Sequence, residues 1–488
     1  MYVHMNTITA KVFFLIGAVT SEAILSESNL SPSPVTGVFV WLDSAYASIE
    51  EIRALAARLC RDYLTGRWKT INQADIVVKK INGGLSNFLY YVSLPSSDNN
   101  FQFIQDHSSV NLNGEDYIKL NGDNTDNDSL NNNNNNNDEK VSLATRKSTS
   151  EPNEVLLRIY GEVHGAEDDA LGAIITESVV FALLSERNFG PKLYGIFPGG
   201  RLEQYINARA LLTRELAVPK ISKKIAEKMA EIHSLDIPMS KEPEWLWNCI
   251  ERWLKTLNTI LARTDWGDKA PLVNIVRKFD FRKEKTWLRS VINQGLYKVV
   301  FCHNDMQEGN ILYANSSGDK ANGTSNGTHA AEDNTNNSAS ILTCNNTIEP
   351  DLRIIDFEYC AYNYRGFDLA NHFIEWTFDY SNPDAPFYYH RKQNYPTKAQ
   401  RKRFYAAYLR KYNENVHDYE PTQAELEGMD AEVRLFSMFS HLFWSVWSIV
   451  MTLATIEFGY WEYGVARIRE YQLLKRTYEG DNVEEDDS

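Results

Sequence analysis

The sequence predicts an α+β fold in two lobes, a small strand-rich N-terminal lobe followed by a large, mainly helical C-terminal lobe. Strand-like segments are concentrated before residue 206, and a glycine-containing turn joins the first two. Residues 207–475 mostly show the three-to-four-residue spacing of apolar side chains that is typical of helices. Within that helical part, two short apolar segments, "VVF" and "ILY", flank the polar loop "CHNDMQEGN".

The composition excludes several classes of protein. A chain of 488 residues with 43% apolar content can form a large core, and its net charge of −15 argues against a nucleic-acid partner. Five cysteines, odd in number and without CxxC spacing, predict neither a disulfide framework nor a zinc site. We therefore expect a reducing compartment and a cytoplasmic protein. The apolar "KVFFLIGAV" near the start faintly resembles a secretory signal, but it is short and lacks a clear cleavage site.

A second apolar stretch, residues 435–456, has the length of a membrane span and no charged residue. It carries four Ser, two Thr and His441, and its aromatic residues lie in the middle of the run rather than at its ends. This pattern favours a buried helix of a soluble protein, so no stable membrane insertion is expected.

The N-terminal elements follow one another in a clear order. "YASIEEIRALAARLCRDYLTG" predicts a helix that stops at Gly66, and "DIVVKKINGGLSNFLYYVSL" predicts strand, turn and strand. "EVLLRIYG" predicts another strand. "AIITESVVFALLSERNFG" predicts an amphipathic helix that ends at a glycine cap, Gly190, before the strands "LYGIFP" and "RLEQYI".

Two low-complexity inserts interrupt these elements, and both fall where two strands would be joined at the surface, where a long loop costs little extra entropy. The predicted organisation is a flexible leader (1–40), an N-terminal lobe (41–206) with a disordered insert (about 96–152), a C-terminal lobe (207–475) with a second disordered insert (about 315–350), and an acidic tail (476–488).

The layout of lobes is that of a two-lobed, protein-kinase-like fold, and the chemistry of phosphoryl transfer can be sought within it. That reaction needs a carboxylate that accepts the proton of the substrate hydroxyl, metal ligands, and a cation on the nucleotide phosphates. "HNDMQEGN" gives the spacing His303-x-Asp305-x4-Asn310, with Asp305 as the candidate base. Asn310 and Asp356, which follows the apolar strand in "IIDFE", are the candidate Mg²⁺ ligands because Mg²⁺ prefers oxygen donors.

The N-terminal lobe supplies the candidate phosphate-binding parts. Arg158 projects from a strand and Glu177 lies on the following helix, which predicts an ion pair like the Lys–Glu pair of kinases. Gly83 and Gly84 would let the backbone approach the phosphates. Each signal has a plain structural explanation when it is taken alone: a cap, a hairpin turn, a surface ion pair, or a hydrogen-bonded core histidine at His303. The order in which they occur together favours a kinase.

The absence of protein-kinase motifs indicates the class of substrate. A protein kinase would carry HRD, DFG and APE motifs. Here Asn304 replaces the arginine, Glu358 replaces the glycine, and the chain continues into "YCAYNYRGFDLANHFIEWTFDY" without an activation segment. A small molecule is therefore the predicted phosphoryl acceptor.

These segments, "CHNDMQEGNIL" and "IDFEYCAYNYRGFDLANHFIEWTFDY", resemble the choline/ethanolamine kinase family, most closely its choline kinase branch. The resemblance extends to "INGGLSNFLY", "ERNFGPKLYGIFPGGRLEQYI" and "SHLFWSVWSIV…IEFGYWEYG", and it covers most of residues 45–470. It implies transfer of the γ-phosphoryl group of ATP, with Mg²⁺, to choline. The product would be phosphocholine for phosphatidylcholine synthesis by the CDP-choline route, and the enzyme would be a cytosolic homodimer.

The resemblance also implies roles for individual residues. Asp305 would be the catalytic base, Gln307 and Arg158 would lie near the transferred phosphate, and Asp368 would brace the catalytic loop together with His303. The adenine would meet backbone groups of "EQYI". The full set implied for ATP is Gly84, Ser86, Asn87, Arg158, Glu177, Gln204 and Ile206.

The substrate end can also be argued from physical chemistry. The quaternary ammonium of choline has no N–H to donate, so aromatic faces must recognise it, at roughly 0.5–2 kcal/mol per contact. Trp444 and Trp447 are three residues apart and share one helix face, which by itself also fits a core stripe. With the resemblance, the predicted choline pocket comprises Tyr380, Glu375, Trp444, Trp447, Phe458 and Tyr463, with Glu375 as the negative charge.

Other functions stay open at this point. Ethanolamine is the close competitor, either alone or together with choline. An inactive kinase-like scaffold that binds partners through the inserts is a remote alternative, and the joint presence of Asp305, Asn310, Asp356 and Arg158 argues against it. An aminoglycoside phosphotransferase would share the HxDx4N spacing, but its acceptor pocket would be acidic rather than aromatic.

Overall fold

A computed structural model describes residues 48–81, 87–95, 151–160, 167–314, 349–454 and 456–480. The predicted leader, nearly all of both predicted inserts, Gly83, Gly84 and Ser86 lie outside these ranges. The described residues form an α+β fold, with one antiparallel sheet near the N-terminus and a mainly helical remainder, as the sequence predicts.

The N-terminal lobe is built on a five-stranded antiparallel sheet in the order β1-β2-β3-β5-β4. Alternate residues of its strands, such as Val155 and Leu157, are fully buried against α1 and its surroundings. The strands are β1 (Val77–Ile81), β2 (Asn87–Ser93), β3 (Glu154–Tyr160), β4 (Leu193–Phe197) and β5 (Gly200–Gln204). The first predicted insert thus joins β2 to β3, which pair directly.

Two helices accompany this sheet. Helix α1 (Ile49–Tyr63) begins at a capping box between Ser48 and Glu51, because each side chain satisfies a backbone N–H of the first turn. Helix α2 (Glu167–Glu186) ends before Asn188, whose φ of +58° makes it the left-handed residue after the helix. The prediction of a glycine cap at Gly190 is therefore wrong in position. Asparagine tolerates this backbone region better than most residues do.

The C-terminal lobe is a helical body with one continuous core. Its helices are α3 (Pro219–His233), α4 (Trp245–Leu261), α5 (Ala270–Lys278), α6 (Phe281–Ile292), α7 (Arg365–Glu375), α8 (Lys398–Tyr412), α9 (Gln423–Met451) and α10 (Tyr460–Glu479). Helix α10 ends at Gly480, which has a φ of +86°. Residues 476–479 therefore belong to this helix and not to the predicted tail, because the left-handed turn that ends it comes four residues later.

Helix α9 passes the length and composition test for a membrane span, but 94% of its most apolar window is buried inside the protein. It packs on α7, α4 and α10. The prediction of a buried core helix over this stretch is confirmed for the described residues.

Short strands in this lobe position the polar loop. Strand β7 (Val299–Cys302) pairs with β10 (Ala361–Tyr364), whereas β8 (Ile311–Ala314) pairs with β6 (Ala208–Ala210) and β9 (Leu352–Ile354). A small two-stranded ribbon follows, β11 (Phe378–Asp379) with β12 (Tyr389–His390). The loop between β7 and β8 therefore connects two different sheets. The predicted second insert joins β8 to β9, which pair with each other.

Candidate active site

The loop between β7 and β8 is held by hydrogen bonds on both of its flanks. His303 is fully buried, its Nε2 lies 2.9 Å from the carbonyl oxygen of Ile355, and the N–H of Asp305 donates to its Nδ1 at 3.3 Å. These partners define a neutral imidazole that carries its proton on Nε2. Burial lowers the pKa of His303, which fits that state. Asn304 has a φ of +67°, a strained conformation of the kind that is concentrated at functional sites.

Asp305 and Asn310 meet across this loop. The amide nitrogen of Asn310 donates to both the backbone carbonyl and the carboxylate Oδ2 of Asp305, each at 2.9 Å. Burial, followed by repulsion from Glu375 and Asp356, raises the pKa of Asp305 well above its ordinary value. Between them, the side chain of Gln307 accepts a hydrogen bond from the N–H of Gly309 at 3.1 Å.

Asp356 lies next to this loop, two residues after β9. Its φ of +63° is again in the left-handed region, and its side chain is 22% exposed. The preceding residue, Ile355, donates its N–H to the carbonyl of Asn310 at 3.0 Å and accepts from His303. These bonds fix the backbone before Asp356 against the loop that carries Asn310.

The donor set of this region fits a hard divalent cation. The amide nitrogen of Asn310 is committed to Asp305, so its side-chain oxygen is the atom left for a ligand. Asp356 offers a partly exposed carboxylate. One carboxylate and one amide oxygen, with phosphate oxygens to complete the shell, suit Mg²⁺.

Helix α7 braces the loop through a polar stripe that the sequence analysis identified only at its two ends. Asp368, Asn371, His372 and Glu375 recur at positions i, i+3, i+4 and i+7, and all four are buried on a helix of otherwise mostly apolar residues. Asn371 donates to the carbonyl of Asn304 at 3.3 Å. Such spacing places all four side chains on one face of the helix.

Asp368 makes the most bonds of this stripe. It accepts the backbone N–H groups of His303 and Asn304, each at 2.9 Å, and its Oδ2 lies 3.0 Å from Nε2 of His233. Burial opposes ionisation, but these hydrogen bonds and the neighbouring histidines outweigh it and lower the pKa of Asp368. An ionised, fully buried carboxylate thus holds the start of the loop.

His372 holds the middle of the loop. Its Nδ1 lies 2.8 Å from the carbonyl oxygen of Met306, and the indole N–H of Trp376 donates to its Nε2 at 3.2 Å. The ring is therefore neutral, with its proton on Nδ1. Burial lowers its pKa to about 4.

We expect this histidine to make stability depend on pH between about 6.5 and 4. In that window His372 becomes protonated in the unfolded chain but stays neutral in the folded protein. The free energy of unfolding therefore falls as the pH falls. His372→Gln keeps an amide donor for Met306 but cannot titrate. Denaturant unfolding from pH 7 to pH 4 should show a slope smaller by up to roughly 1.4 kcal/mol per pH unit in the variant. Equal slopes would contradict this assignment.

A buried chain of alternating charges links the metal-ligand candidate to the N-terminal lobe. Arg158 on β3 and Arg201 on β5 lie directly opposite each other, a cross-strand pair of like charges that would be unfavourable alone. Glu203 lies between them: its Oε1 is 3.4 Å from Arg158 and its Oε2 is 2.6 Å from Arg201. Arg158 also contacts Asp356 at 3.1 Å.

The predicted Arg158–Glu177 ion pair is wrong. Glu177 of α2 pairs with Arg201 at 2.6 Å, so the helix carboxylate reaches the neighbouring strand instead. Arg158 is turned toward Asp356 and Glu203, where two carboxylates compensate the cost of its burial. Arg158 and Glu177 are connected only indirectly, by ion pairs through Glu203 and Arg201. Neither Glu203 nor Arg201 was predicted from the sequence.

Three more of the residues predicted to bind ATP, Asn87, Gln204 and Ile206, lie among the described residues. Asn87 opens β2 and donates to Glu358 at 3.2 Å, a contact between the N-terminal sheet and the segment after Asp356. Gln204 ends β5, and Ile206 lies in the short connection to β6. Both are half-buried; the N–H of Gln204 donates to the carbonyl of Lys192, and the carbonyl of Ile206 accepts from the N–H of Ala208, each at 2.8 Å.

Trp444 and Trp447 lie on one face of α9, as predicted, with ring centroids 5.2 Å apart. Both contact Tyr359, which the sequence analysis did not single out. The ring centroids of Trp444 and Tyr359 are 5.3 Å apart, and the indole N–H of Trp447 donates to the hydroxyl of Tyr359 at 3.0 Å. The side chain of Asn304 donates to the carbonyl of Tyr359 at 2.9 Å, so this aromatic group adjoins the loop between β7 and β8.

A second aromatic group surrounds Phe458. Its ring lies 6.2 Å from Tyr380, 5.8 Å from Tyr463 and 5.6 Å from Tyr388. Tyr460, which is 5.0 Å from Phe458 and 6.1 Å from Trp447, connects the two groups. The structure therefore brings the predicted aromatic substrate residues into one continuous aromatic region.

Glu375, at the end of the α7 stripe, has a partner on each oxygen. Arg467 of α10 contacts Oε1, and the hydroxyl of Tyr380 donates to Oε2 at 2.8 Å. The side chains of Arg467 and Glu375 are 0% and 4% exposed. Arg467 was missed in the sequence, where nothing distinguishes it from the other basic residues of its helix.

Glu308 adds a further buried carboxyl beside the loop. Its Oε1 accepts from the hydroxyl of Thr213 at 2.8 Å, and its Oε2 has no partner among the described residues. Burial and repulsion from Glu375 raise its pKa to about 8. Asp305, Glu308 and Glu375 together make this region rich in carboxyl groups, and repulsion between them contributes to the raised pKa values of Asp305 and Glu308.

The fold and site define a two-lobed, protein-kinase-like phosphotransferase. The crystal structure of choline kinase from Cryptosporidium parvum superposes with a TM-score of 0.60, covering 88% of this chain and 97% of that one. At 23% sequence identity, this likeness concerns the fold alone.

The sequence comparisons give the family. The model of the choline/ethanolamine kinase family matches residues 129–472. The chain is 35% identical to a human choline/ethanolamine kinase over 85% of its length and 84% of the relative's. It is 36% identical to choline kinase A2 of Caenorhabditis elegans over 89% of each chain. The chain belongs to the choline/ethanolamine kinase family, and it is a kinase.

Proposed function

We propose that this protein phosphorylates choline, transferring the γ-phosphoryl group of ATP to the choline hydroxyl. The observation that carries the proposal is the continuous aromatic region that contacts the loop of Asp305 through Tyr359 and runs from Trp444 and Trp447 to Phe458. Aromatic faces bind a quaternary ammonium without needing an N–H from it. The named relatives, a choline/ethanolamine kinase and a choline kinase, support the same acceptor class.

In the proposed reaction, Asp305 accepts the proton of the choline hydroxyl while the hydroxyl oxygen attacks the γ-phosphorus. The bond from that phosphorus to the β–γ bridging oxygen breaks, so the products are phosphocholine, ADP and a proton on Asp305. The raised pKa of Asp305 suits a proton acceptor in a crowded acidic site. Asn310 orients the carboxylate through its amide nitrogen.

Arg158 and the oxygen ligands complete the nucleotide end. Asn310 and Asp356 would hold Mg²⁺, which supplies charge neutralisation for the phosphate oxygens. Arg158 would contact the phosphates next to Asp356, and Glu177 keeps its role in the nucleotide site through Arg201. Gln307, Asn87, Gln204 and Ile206 keep their predicted roles at the phosphate and adenine. Gly84 and Ser86 are proposed to contact the phosphates on the resemblance alone.

Steady-state phosphorylation of choline and of ethanolamine, measured side by side with ATP and Mg²⁺, tests the proposal. A kcat/KM ratio of about ten or more in favour of choline, about 1.4 kcal/mol of discrimination, supports a choline kinase. Comparable values identify a dual enzyme, which the name of the human relative makes the second candidate. Turnover of neither, with ATP still bound, favours a scaffold.

We expect Trp447→Leu to raise the KM for choline about tenfold while the KM for ATP stays within twofold. The leucine keeps an apolar side chain but removes the aromatic face, which contributes roughly 0.5–2 kcal/mol to holding a desolvated cation. Trp247→Leu is the matched control, because Trp247 is also buried but stacks on Phe439 at 4.0 Å within the core. The control should lower the melting temperature without separating the two KM values. A parallel rise of both KM values in Trp447→Leu would contradict a role in the choline pocket.

The broader setting follows from the proposed activity. Phosphocholine would feed phosphatidylcholine synthesis by the CDP-choline route, in the cytoplasm. Cys60, Cys249, Cys302 and Cys360 are buried, and no disulfide joins them in the part of the chain that the structure describes, which supports a reducing compartment. A homodimer stays a prediction from the family resemblance, and sedimentation of the purified chain tests it.

A further inference from the structure

Asn304, the residue before the proposed base, has a hydrogen-bond partner for its backbone and for its side chain. Its backbone N–H donates to Asp368 at 2.9 Å, and its backbone carbonyl accepts from Asn371 at 3.3 Å. Its side-chain nitrogen donates to the carbonyl of Tyr359 at 2.9 Å, and its side-chain oxygen accepts from Asn363 at 2.8 Å. The backbone is therefore held by α7, and the fully buried side chain is held by other segments.

The partners of this side chain fix the orientation of its amide. A backbone carbonyl can only accept, so the atom that Asn304 presents to Tyr359 is the nitrogen. Its oxygen then faces Asn363, which lies on β10 and is 1% exposed. The φ of +67° at Asn304 could be adopted by a glycine without any side chain. The amide thus adds two buried contacts that the backbone conformation does not require.

The contact with Tyr359 leads to the proposed choline pocket. The half-buried Tyr359 accepts the indole N–H of Trp447 on its hydroxyl at 3.0 Å, and its ring centroid lies 5.3 Å from that of Trp444. Asn304 directly precedes Asp305 in the chain. Two hydrogen bonds, from Asn304 to Tyr359 and from Trp447 to Tyr359, therefore connect the loop of the base with the aromatic rings.

This connection matters because the two reacting ends of the substrate are bonded to each other. An ethylene group separates the ammonium of choline from its hydroxyl. The aromatic faces and the base must therefore be held at a matching separation, and a displacement of about 1 Å can cost 10²-fold in rate. Asp305 lies on a loop and Trp447 on α9, so tertiary contacts set this separation.

We infer that Asn304 is a positioning residue that sets the distance between the aromatic pocket and Asp305, and so determines which length of ammonium alcohol is phosphorylated. This inference rests on the proposed function, because it concerns the same pocket. It assigns the specificity for chain length to a residue that acts through Tyr359 and Asp305.

Asn304→Gly removes both side-chain bonds and keeps the backbone. Glycine adopts a positive φ readily, and its N–H and carbonyl remain for Asp368 and Asn371. The substrates to compare are choline and its homologue with one more methylene, (3-hydroxypropyl)trimethylammonium. Because one methylene is typically worth about tenfold or more in discrimination, the ratio of kcat/KM for choline to that for the homologue should fall by about threefold or more. The KM for ATP should stay within about twofold of wild type.

Tyr359→Phe interrupts the connection at its other bond and leaves the loop unchanged. It removes the hydroxyl that accepts from Trp447, and it keeps the ring and the carbonyl that Asn304 uses. The ratio should fall in the same direction as in Asn304→Gly. In the double variant the two effects should not add, because both substitutions break the same connection.

Asn188→Gly is the matched control. Asn188 also has a positive φ, +58°, but it is exposed and follows the end of α2. Its ratio should stay within about twofold of wild type. A purely structural role of Asn304 would lower the melting temperature of Asn304→Gly and reduce kcat/KM for both substrates by the same factor, which leaves the ratio unchanged.

Asn304→Gly decides the question if it folds, and Tyr359→Phe decides it otherwise. An unchanged ratio in the deciding variant would overturn the inference, as would a wild-type protein that uses both lengths equally. A wild-type preference for ethanolamine over choline would overturn the proposed function instead. Ethanolamine and 3-aminopropanol then replace the choline pair and test the inference in the same way. Turnover of none of the four alcohols would reject both.

Discussion

Asp305→Asn is expected to lower kcat by about 10²–10⁴-fold, the usual contribution of a positioned general base. The asparagine is isosteric and retains one side-chain oxygen for the contact that Asn310 makes at 2.9 Å. It cannot accept the hydroxyl proton, so the loss should fall on turnover and leave ATP binding close to wild type. Single-turnover phosphorylation and nucleotide binding, measured on the same preparation, check both parts.

Asp351→Asn is the matched control for this variant. Asp351 lies just before β9, its side chain is 50% exposed, and it pairs only with Arg353 in the contacts of the described chain. Its kcat should stay within twofold of wild type. A wild-type kcat in Asp305→Asn would exclude Asp305 as the general base. An equal loss of kcat in both variants would indicate a fault of the protein preparations and not an effect of the substitution.

Asp368→Ala is expected to destabilise the protein by about 3–5 kcal/mol, because it leaves several buried partners without their carboxylate. These are the N–H groups of His303 and Asn304 and the ring of His233. Since a whole domain has roughly 5–15 kcal/mol of stability, this variant should be partly unfolded at 37 °C. Denaturant unfolding followed by circular dichroism measures the change.

The milder Asp368→Asn separates positioning from folding. It retains one acceptor for the two N–H groups, so it should fold while its loop is displaced, and a displacement of about 1 Å can cost 10²-fold in rate. Asp430→Asn is the control, since Asp430 is also buried but lies near the start of α9 and accepts from Arg401 and Tyr405 of α8. Per folded molecule, kcat should fall in Asp368→Asn and not in Asp430→Asn. Equal kcat values would make Asp368 a purely structural residue.

The sequence could predict those parts of the site that lie close together along the chain. Asp305 and Asn310 are five residues apart, and the apolar run before Asp356 identifies the strand that carries it. The ion pairs of the N-terminal lobe could not be predicted in the same way. Arg158 and Arg201 become neighbours only through the register of β3 and β5, which no local pattern specifies. Because this strand register could not be predicted, Glu177 was assigned to Arg158 instead of Arg201.

The site residues that were not predicted differ in whether the sequence carries a signal for them. Asn371 and His372 continue the spacing that Asp368 begins, and a polar stripe at helical period on an apolar helix could have revealed them. Tyr359 and Arg467 carry no such signal. Their roles depend on where α9 and α10 pack against the segments after Asp356 and Glu375, which is a property of the tertiary structure.

The alternating chain from Asp356 through Arg158, Glu203 and Arg201 to Glu177 also restricts how this protein can change over evolutionary time. Loss of Arg158 or Arg201 leaves Asp356 or Glu177, respectively, without its counterion in this chain and leaves buried Glu203 with one arginine instead of two, which is costly. Replacement of two adjacent members together by apolar residues of similar volume avoids that cost. Neutral drift at these positions is therefore expected to proceed through paired replacements, so residues 201 and 177 should covary more strongly than their separation along the chain suggests.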